Sequence, residues 1–216
     1  MISKSLELND YLYLSYGIKA YQQGRAHLYN ERHLSWQDPH PHRLWEYASA
    51  LEVVGDLAQY ETVINVGCGE SAFGTALAQC GLAVLEVDND PNMVERAWHA
   101  QCGDVDQHDV CEPFGDKWDV VTCVSVLERV PSDKQDLAWN NLIEATGKLL
   151  YVTVDCGYDL TKPWVSDADR GTRFTMDMLA IRASRLREQG FTVHFDQTWN
   201  GAQVYDYSFC RIVATR

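Results

Sequence analysis

Short apolar runs alternate with helical stretches from about residue 60 to the end of the chain. The apolar runs predict seven strands, at 62–66, 82–87, 105–110, 119–124, 149–154, 191–195 and 207–214. Helical periodicity with start and stop signals predicts helices at 71–80, from Pro91, from a Ser132/Gln135 capping box to about 145, and at 175–189. Strands that are apolar on both faces and alternate with helices indicate a doubly wound α/β fold with a mostly parallel sheet.

The two ends of the chain depart from this alternation. Residues 196–206 have no helical pattern, and a connection this short suits a hairpin, so the last strand is predicted to run antiparallel. Residues 1–58 show no clear strand and are crowded with tyrosine, tryptophan and histidine. We therefore expect an N-terminal helical cap or lid over 1–58, and a cofactor-binding domain over 59–216.

Composition and charge narrow the classes of partner. The chain has 216 residues, of which 46% are hydrophobic and 23% charged, which is typical of a globular protein with its own core. The formal net charge of −13 disfavours nucleic acids and anionic membranes, because binding to phosphates depends on clustered Lys and Arg. A small-molecule partner is predicted instead.

The cysteine pattern and the N-terminal residues indicate whether the protein binds a metal and in which compartment it is expected. None of the seven cysteines is spaced C-x-x-C, so neither a zinc knuckle nor a thioredoxin-like motif is indicated, and we expect no metal. Several cysteines lie in apolar runs, which favours buried, reduced thiols in a cytoplasmic protein. The first residues lack the apolar core of a signal peptide, and no apolar run is long enough to span a membrane.

The segment Asn65–Gly74 carries the clearest chemical signal, because it follows a strand and opens a helix. Gly67 and Gly69 allow a tight turn that a ligand can approach closely. About twenty residues later the second strand ends at Asp88, a carboxylate suited to ribose hydroxyls. The spacing predicts a nucleoside-cofactor site, yet it fits a nicotinamide dinucleotide as well as S-adenosylmethionine.

Five segments in order resemble the class I S-adenosylmethionine-dependent methyltransferases, of the small-molecule type 11-like group. They are Val63–Gly69, Leu85–Met93, Asp109–Val121, Ser125–Pro131 and Arg173–Val193. The resemblance implies a Rossmann-like sheet, S-adenosylmethionine as cofactor with S-adenosylhomocysteine as product, and methyl transfer to an oxygen or nitrogen of a small or sugar-like acceptor. A nicotinamide-dependent oxidoreductase and a cofactor-binding relative without turnover are the alternatives.

The resemblance also implies which residues hold the cofactor. They are Asn65, Gly67, Cys68, Gly69, Asp88, Asn89, Met93, Asp109, Val110, Val124 and Ser125. Asp88 is expected to accept from both ribose hydroxyls. Asp109 is expected to accept from the adenine amino group beside Val110, with Asp104 as the alternative. The chain departs from the family pattern at two positions. At position 65 it has Asn65, where the family has an acid that meets the cofactor's amino group, and at position 71 it has Ser71, where the family has a third glycine.

The acceptor site is expected to involve the cap and the loop 155–173. A hydroxyl acceptor needs a general base, for which His33, His40 and His42 are the candidates in the first 58 residues. Candidate acceptor-pocket residues are Trp36, Arg129, Tyr158 and Trp164. Arg129 stands where the family signature V-L-E-H has its histidine, so no role of that histidine is transferred to it.

Overall fold

A computed structural model describes residues 46–47, 49–50, 53–54, 59–69, 73–79, 81–100, 104–157, 174–199 and 207–216. It contains seven strands: β1 (Thr62–Val66), β2 (Ala83–Asp88), β3 (Asp104–Gln107), β4 (Trp118–Val124), β5 (Thr146–Gly157), β6 (Thr192–Trp199) and β7 (Tyr207–Thr215). Four α-helices lie between them: α1 (Phe73–Gln79), α2 (Pro91–Ala100), α3 (Gln135–Ala145) and α4 (Met176–Glu188). A short 3-10 helix, Leu127–Arg129, follows β4.

All seven strands form one sheet in the order β3-β2-β1-β4-β5-β7-β6. The pairs from β3 to β5 are parallel, whereas β7 lies between β5 and β6 and runs antiparallel to both. The predicted doubly wound, mostly parallel sheet with an antiparallel last strand is therefore confirmed. None of the described helices is long and apolar enough to cross a bilayer.

Alternate residues of each strand build the two layers of the core, because successive side chains point to opposite faces of a sheet. One face, with Ile64 and Val121, packs with Trp139 of α3 and Leu179 of α4. The other face packs with α1 and with helical residues that precede β1. Its shared core contains Val63, Val120, Leu149, Phe73, Leu77, Ala50 and Val54. Tyr47 stacks on Phe73 with ring centroids 4.8 Å apart.

Several predicted boundaries hold because local capping decides them. Asp90 Oδ1 accepts from the backbone N–H of Asn92, and Pro91 is the first residue of α2. Thr175 caps α4 by accepting from the backbone N–H of Met178, and Gly190 follows its end. A polar side chain at the first turn satisfies an N–H group that has no partner inside the helix.

Three predicted boundaries are wrong. The Ser132/Gln135 capping box does not form: Gln135 is buried and its Nε2 donates to the carbonyls of Leu127 and Val130, so it anchors the preceding 3-10 helix. β3 ends at Gln107, so the expected strand over 105–110 is only partly present. β5 begins directly after α3 and has twelve residues, longer than the predicted 149–154.

The expectation of reduced thiols is also wrong for one pair. Cys156 on β5 and Cys210 on β7 form a disulfide, with Cα atoms 6.2 Å apart. The register pairs Val154 with Cys210, so Cys156 lies two positions further along the same face of β5 and within reach. Cys68, Cys111 and Cys123 are free thiols.

Candidate functional site

The switch point of the sheet, where the direction in which successive strands are added reverses, lies between β1 and β4. The chain winds outward from β1 to β2 and β3 on one side, and from β4 to β5 on the other. Because β1 and β4 are parallel and their last residues are nearly level, Gly67 and Ser125 follow at the same edge of the sheet. Ligands of doubly wound sheets bind in the crevice outside this edge.

The turn after β1 takes the conformation that its glycines allow. Gly67 and Gly69 have φ angles of 69° and 54°, which residues with a Cβ rarely adopt. A Cβ on Gly67 would lie 2.2 Å from Cγ2 of Val126, whereas a Cβ on Gly69 would meet nothing within 4 Å. Gly67 is therefore packed against Val126, whereas the space beside Gly69 is open and can admit a ligand.

Asp88 ties the end of β2 to this turn. Its Oδ2 accepts from the backbone N–H of Gly69 at 2.9 Å, and its Oδ1 accepts from the backbone N–H of Asp90 at 3.0 Å. Each oxygen retains a further lone pair, so the carboxylate can also accept from ribose hydroxyls. The exposed Asn89 follows Asp88 directly, and the half-buried Met93 lies in the first turn of α2.

The turn after β3 lies next to Asp88. The backbone N–H of His108 donates to the carbonyl of Asp88 at 3.0 Å. Asp109 is half-buried and its Oδ1 accepts from the backbone N–H of Cys111, while Val110 is buried in the core. Asp104 is exposed at the other end of β3, level with Leu85. The structure thus brings Asp109, and not Asp104, to the edge that carries Asp88.

Asn65 lies below the turn, with its side chain engaged inside the sheet. Its Nδ2 donates to Oε2 of Glu86 at 3.1 Å, and its Oδ1 accepts from Thr122 at 2.9 Å. Asn65 is 3% exposed and Glu86 is fully buried. The structure therefore gives the Asn65 amide two partners within the sheet. Its predicted contact with the cofactor stays a prediction.

Cys68 sits in the turn as a thiol. Burial raises the pKa of Cys68 well above its ordinary value, and the nearby carboxylates of Glu86 and Asp88 add to the effect. A thiol held in this state does not act as a nucleophile, since the thiolate is the reactive form. Cys68 therefore contributes backbone and shape to the turn.

The end of β4 holds a buried carboxylate that the sequence did not indicate. Ser125 has a φ angle of 51° and donates from Oγ to Oε1 of Glu46 at 2.6 Å. Thr153 on β5 donates to the same oxygen, and the Tyr151 hydroxyl donates to the backbone carbonyl of Glu46. Glu46 is fully buried, although it precedes β1 in the chain. The only signal for it in the sequence is an acid between two aromatics, Trp45 and Tyr47.

The remaining predicted residues are divided between described and undescribed parts of the chain. Val124 is buried on the α1 side of the sheet, and Arg129 is exposed at the end of the 3-10 helix. The other acceptor and base candidates lie outside the described residues: His33, Trp36, His40, His42, Tyr158 and Trp164. Within the described ranges, no group of three or more His, Cys, Asp or Glu side chains is placed to hold a metal ion.

The residues around the crevice fit a nucleoside cofactor. A glycine turn with open space at Gly69 can admit the cofactor's backbone, and Asp88 offers carboxylate lone pairs beside it. Asp109 lies on the adjacent turn. These groups come from the ends of three neighbouring strands, β1, β2 and β3, beside the switch point where ligands of doubly wound sheets bind.

Comparisons with known proteins agree with this geometry. A family model described as a methyltransferase domain matches residues 64–143. A ubiquinone biosynthesis O-methyltransferase from Coxiella burnetii is 32% identical over 105 residues, which is 43% of this chain and 43% of that protein. The matched segment thus spans less than half the length of this curated relative.

Solved structures share the fold at low identity. Magnesium protoporphyrin IX methyltransferase (ChlM) from Synechocystis PCC 6803 with bound S-adenosylmethionine has a TM-score of 0.64 at 16% identity, over 99% of this chain and 100% of that chain. The [4+2]-cyclase SpnF has a TM-score of 0.61 at 14% identity, over 87% and 85% of the two chains. The same fold therefore carries more than one named activity.

The matched family decides between the two cofactor classes that the glycine turn left open. Residues 64–143 run from β1 through α3, so they include the turn, Asp88, Asp109 and the end of β4. The cofactor of this family is S-adenosylmethionine, and the alternative of a nicotinamide oxidoreductase is set aside. The motifs of the chain, its fold and the methyltransferase-domain match over residues 64–143 together support a class I S-adenosylmethionine-dependent methyltransferase.

Proposed function

We propose that the protein transfers a methyl group from S-adenosylmethionine to an oxygen atom of a small-molecule acceptor. The observation that carries the proposal is the bond between Asp88 and the Gly69 N–H at the switch point of the sheet. This contact holds the ribose acid against the glycine turn, so the two halves of a nucleoside site are already assembled. The preference for oxygen is supported by the carboxylate of Glu46 and by the printed name of the Coxiella relative.

Each end of the cofactor is assigned to residues of this chain. Asp88 accepts from the ribose hydroxyls, and the backbone of Gly67–Gly69 passes along the amino-acid end. Asp109 accepts from the adenine amino group, with Val110 beside the ring. The bound cofactor supplies an electrophilic methyl group on a sulfonium with a good leaving group. Much of the catalysis is therefore positioning and exclusion of water.

Glu46 is assigned to the acceptor side of the crevice. Its carboxylate is held by the hydroxyls of Ser125, which follows β4, and of Thr153, which lies on β5 level with the last residue of β4. A carboxylate that accepts from two hydroxyls can still accept the proton of an acceptor hydroxyl. Loss of that proton makes the acceptor oxygen a better nucleophile in an in-line displacement.

Ser125 supports a functional role for this place. It is a non-glycine residue in the left-handed region, with a φ angle of 51°. Strained backbone of this kind costs roughly 1–3 kcal/mol and persists where the surroundings determine it, often at functional sites. At this position the Ser125 hydroxyl donates to Glu46.

Two measurements test the proposal. Calorimetry with S-adenosylmethionine and S-adenosylhomocysteine should show binding to the purified protein, and NAD should not bind. Transfer of a labelled methyl group should then occur to at least one acceptor in a panel of phenols, sugars and other alcohols, with amines as a separate set. Cofactor binding with turnover only on amines would overturn the oxygen assignment. Cofactor binding without methyl transfer to any member of either set would overturn methyl transfer.

A further inference from the structure

Three buried polar side chains form a row across neighbouring strands on the α1 side of the sheet. The register pairs Asn65 on β1 with Glu86 on β2 and with Thr122 on β4. All three residues are buried. Residues paired across parallel strands carry their side chains on the same face. The row is therefore set by the register.

The Asn65 amide is oriented by its two neighbours. The Thr122 hydroxyl donates to Oδ1, so Nδ2 is left to donate to Oε2 of Glu86. An aspartate at position 65 would place a second carboxylate beside Glu86, and two buried carboxylates in contact cannot both ionise without a large penalty. Asn65 and Glu86 are therefore complementary, because the amide of Asn65 on β1 donates a hydrogen bond that the carboxylate of Glu86 on β2 accepts.

Glu86 is fitted between the sheet and the turn. A Cβ on Gly74, in the first turn of α1, would lie 1.2 Å from Oε1 of Glu86, so this helix can approach only because residue 74 is a glycine. Glu86 also contributes to the raised pKa of Cys68, after burial itself. The Glu86 carboxylate therefore lies next to the first turn of α1 and close to Cys68 in the turn Gly67–Gly69.

We propose that Glu86 supplies the buried negative charge that attracts the ammonium group at the amino-acid end of S-adenosylmethionine, in place of the acid that the family has at position 65. In this chain the carboxylate stands on β2 at position 86, where the family has it on β1 at position 65. Asn65 occupies the β1 position and is hydrogen-bonded to Glu86. The inference rests on the proposed function. Glu86 acts as a positioning residue, because it lies beneath the turn and acts through it.

The physical basis is the weak screening of buried charges. A carboxylate inside the protein acts on a nearby cation through a medium of lower dielectric than water and with little screening by salt. The attraction depends on a carboxylate close to the turn, and either strand can carry it, because β1 and β2 are adjacent and positions 65 and 86 are paired. This explains why an uncharged residue is tolerated at position 65.

A charge-swap series tests the assignment by calorimetry. The ligands are S-adenosylhomocysteine and its analogue with hydrogen in place of the amino group. In the natural protein S-adenosylhomocysteine should bind at least about tenfold more tightly than the analogue. Glu86→Gln should remove most of this preference, with little change for the analogue. The double variant Asn65→Asp with Glu86→Gln returns one carboxylate to β1 and should restore the preference to within about threefold.

Thr122→Val is the matched control, because it removes a bond to Asn65 without changing the charge, and it should keep the preference. Folding of each variant is checked by thermal unfolding. If Glu86→Gln alone does not fold, the double variant decides: a folded double variant without amino-group preference overturns the assignment. Equal binding of the two ligands by the natural protein, or an unchanged preference in Glu86→Gln, also overturns it. Failure of the natural protein to bind S-adenosylhomocysteine at all would instead refute the proposed function.

Discussion

The carboxylate of Asp88 accepts a hydrogen bond from the backbone N–H of Gly69 at 2.9 Å, so the end of β2 and the turn after β1 hold each other in place. The two residues are 19 positions apart in the chain. The backbone N–H groups of Gly67 and Cys68 both donate to the carbonyl of Val87, which adds two bonds to the same junction. The turn after β1 and the end of β2 are therefore fixed to each other by the protein's own hydrogen bonds.

Replacement of Asp88 by asparagine should weaken S-adenosylhomocysteine binding by about tenfold to a hundredfold, since bonds to a charged acceptor contribute roughly 1.5–3 kcal/mol. Asparagine also leaves one NH₂ group facing the N–H of Gly69 or Asp90, which both need acceptors. Calorimetry measures the affinity. Asp104→Asn, at the far end of β3, is the matched control and should bind as the natural protein does. Equal affinities in the two variants would contradict the site.

Replacement of Gly67 by alanine should destabilise the protein more than replacement of Gly69. Both positions have positive φ, which costs an alanine roughly 1–2 kcal/mol. Only at Gly67 would the new Cβ also collide with Val126. Urea unfolding measures both variants. In Gly67→Ala with Val126→Ala the loss should fall toward that of Gly69→Ala, apart from the cavity left by the valine methyl groups. Equal losses of unfolding free energy in the two single variants would contradict the prediction, because they would mean that the turn shifts to accommodate a Cβ at Gly67 without cost.

Replacement of Glu46 by glutamine should separate binding from turnover. If its carboxylate removes the acceptor proton, methyl transfer to the hydroxyl acceptor should fall by about 10²- to 10⁴-fold, while S-adenosylhomocysteine affinity should remain nearly unchanged. Ser49→Ala, on the same helical segment, is the control and should retain turnover. A parallel loss of cofactor affinity and turnover would assign Glu46 to the cofactor side instead.

The disulfide between Cys156 and Cys210 should stabilise the oxidised protein. It closes a loop of 54 residues, for which chain entropy predicts up to about 4 kcal/mol, with measured values often lower. Urea unfolding with and without a thiol reductant should show this difference in the natural protein. In Cys156→Ser the reductant should have no effect, and in Cys123→Ser, a free buried thiol, its effect should persist.

The features predicted correctly from the sequence depend on short-range patterns. The bounds of β1, the start of α2 at Asp90–Pro91 and the stop before Gly190 were all predicted, because apolar period and capping chemistry act over a few residues. The Gly67–Gly69 turn and Asp88 were recognised from their spacing. The capping box at Ser132 was wrong because tertiary packing of Gln135 under the 3-10 helix replaced a local contact.

The sequence by itself determined the order of strands and helices along the chain, the glycine turn and the position of Asp88 at the end of β2, since each is specified within one element or one turn. Only the tertiary structure decided which distant side chains meet. Glu46 reaches Ser125 across 79 positions, and Glu86 lies beside Asn65 because two strands pair in one register. Cys156 meets Cys210 because β7 inserts between β5 and β6. Such contacts depend on strand order and register, which the packing of the whole sheet selects and no local period encodes.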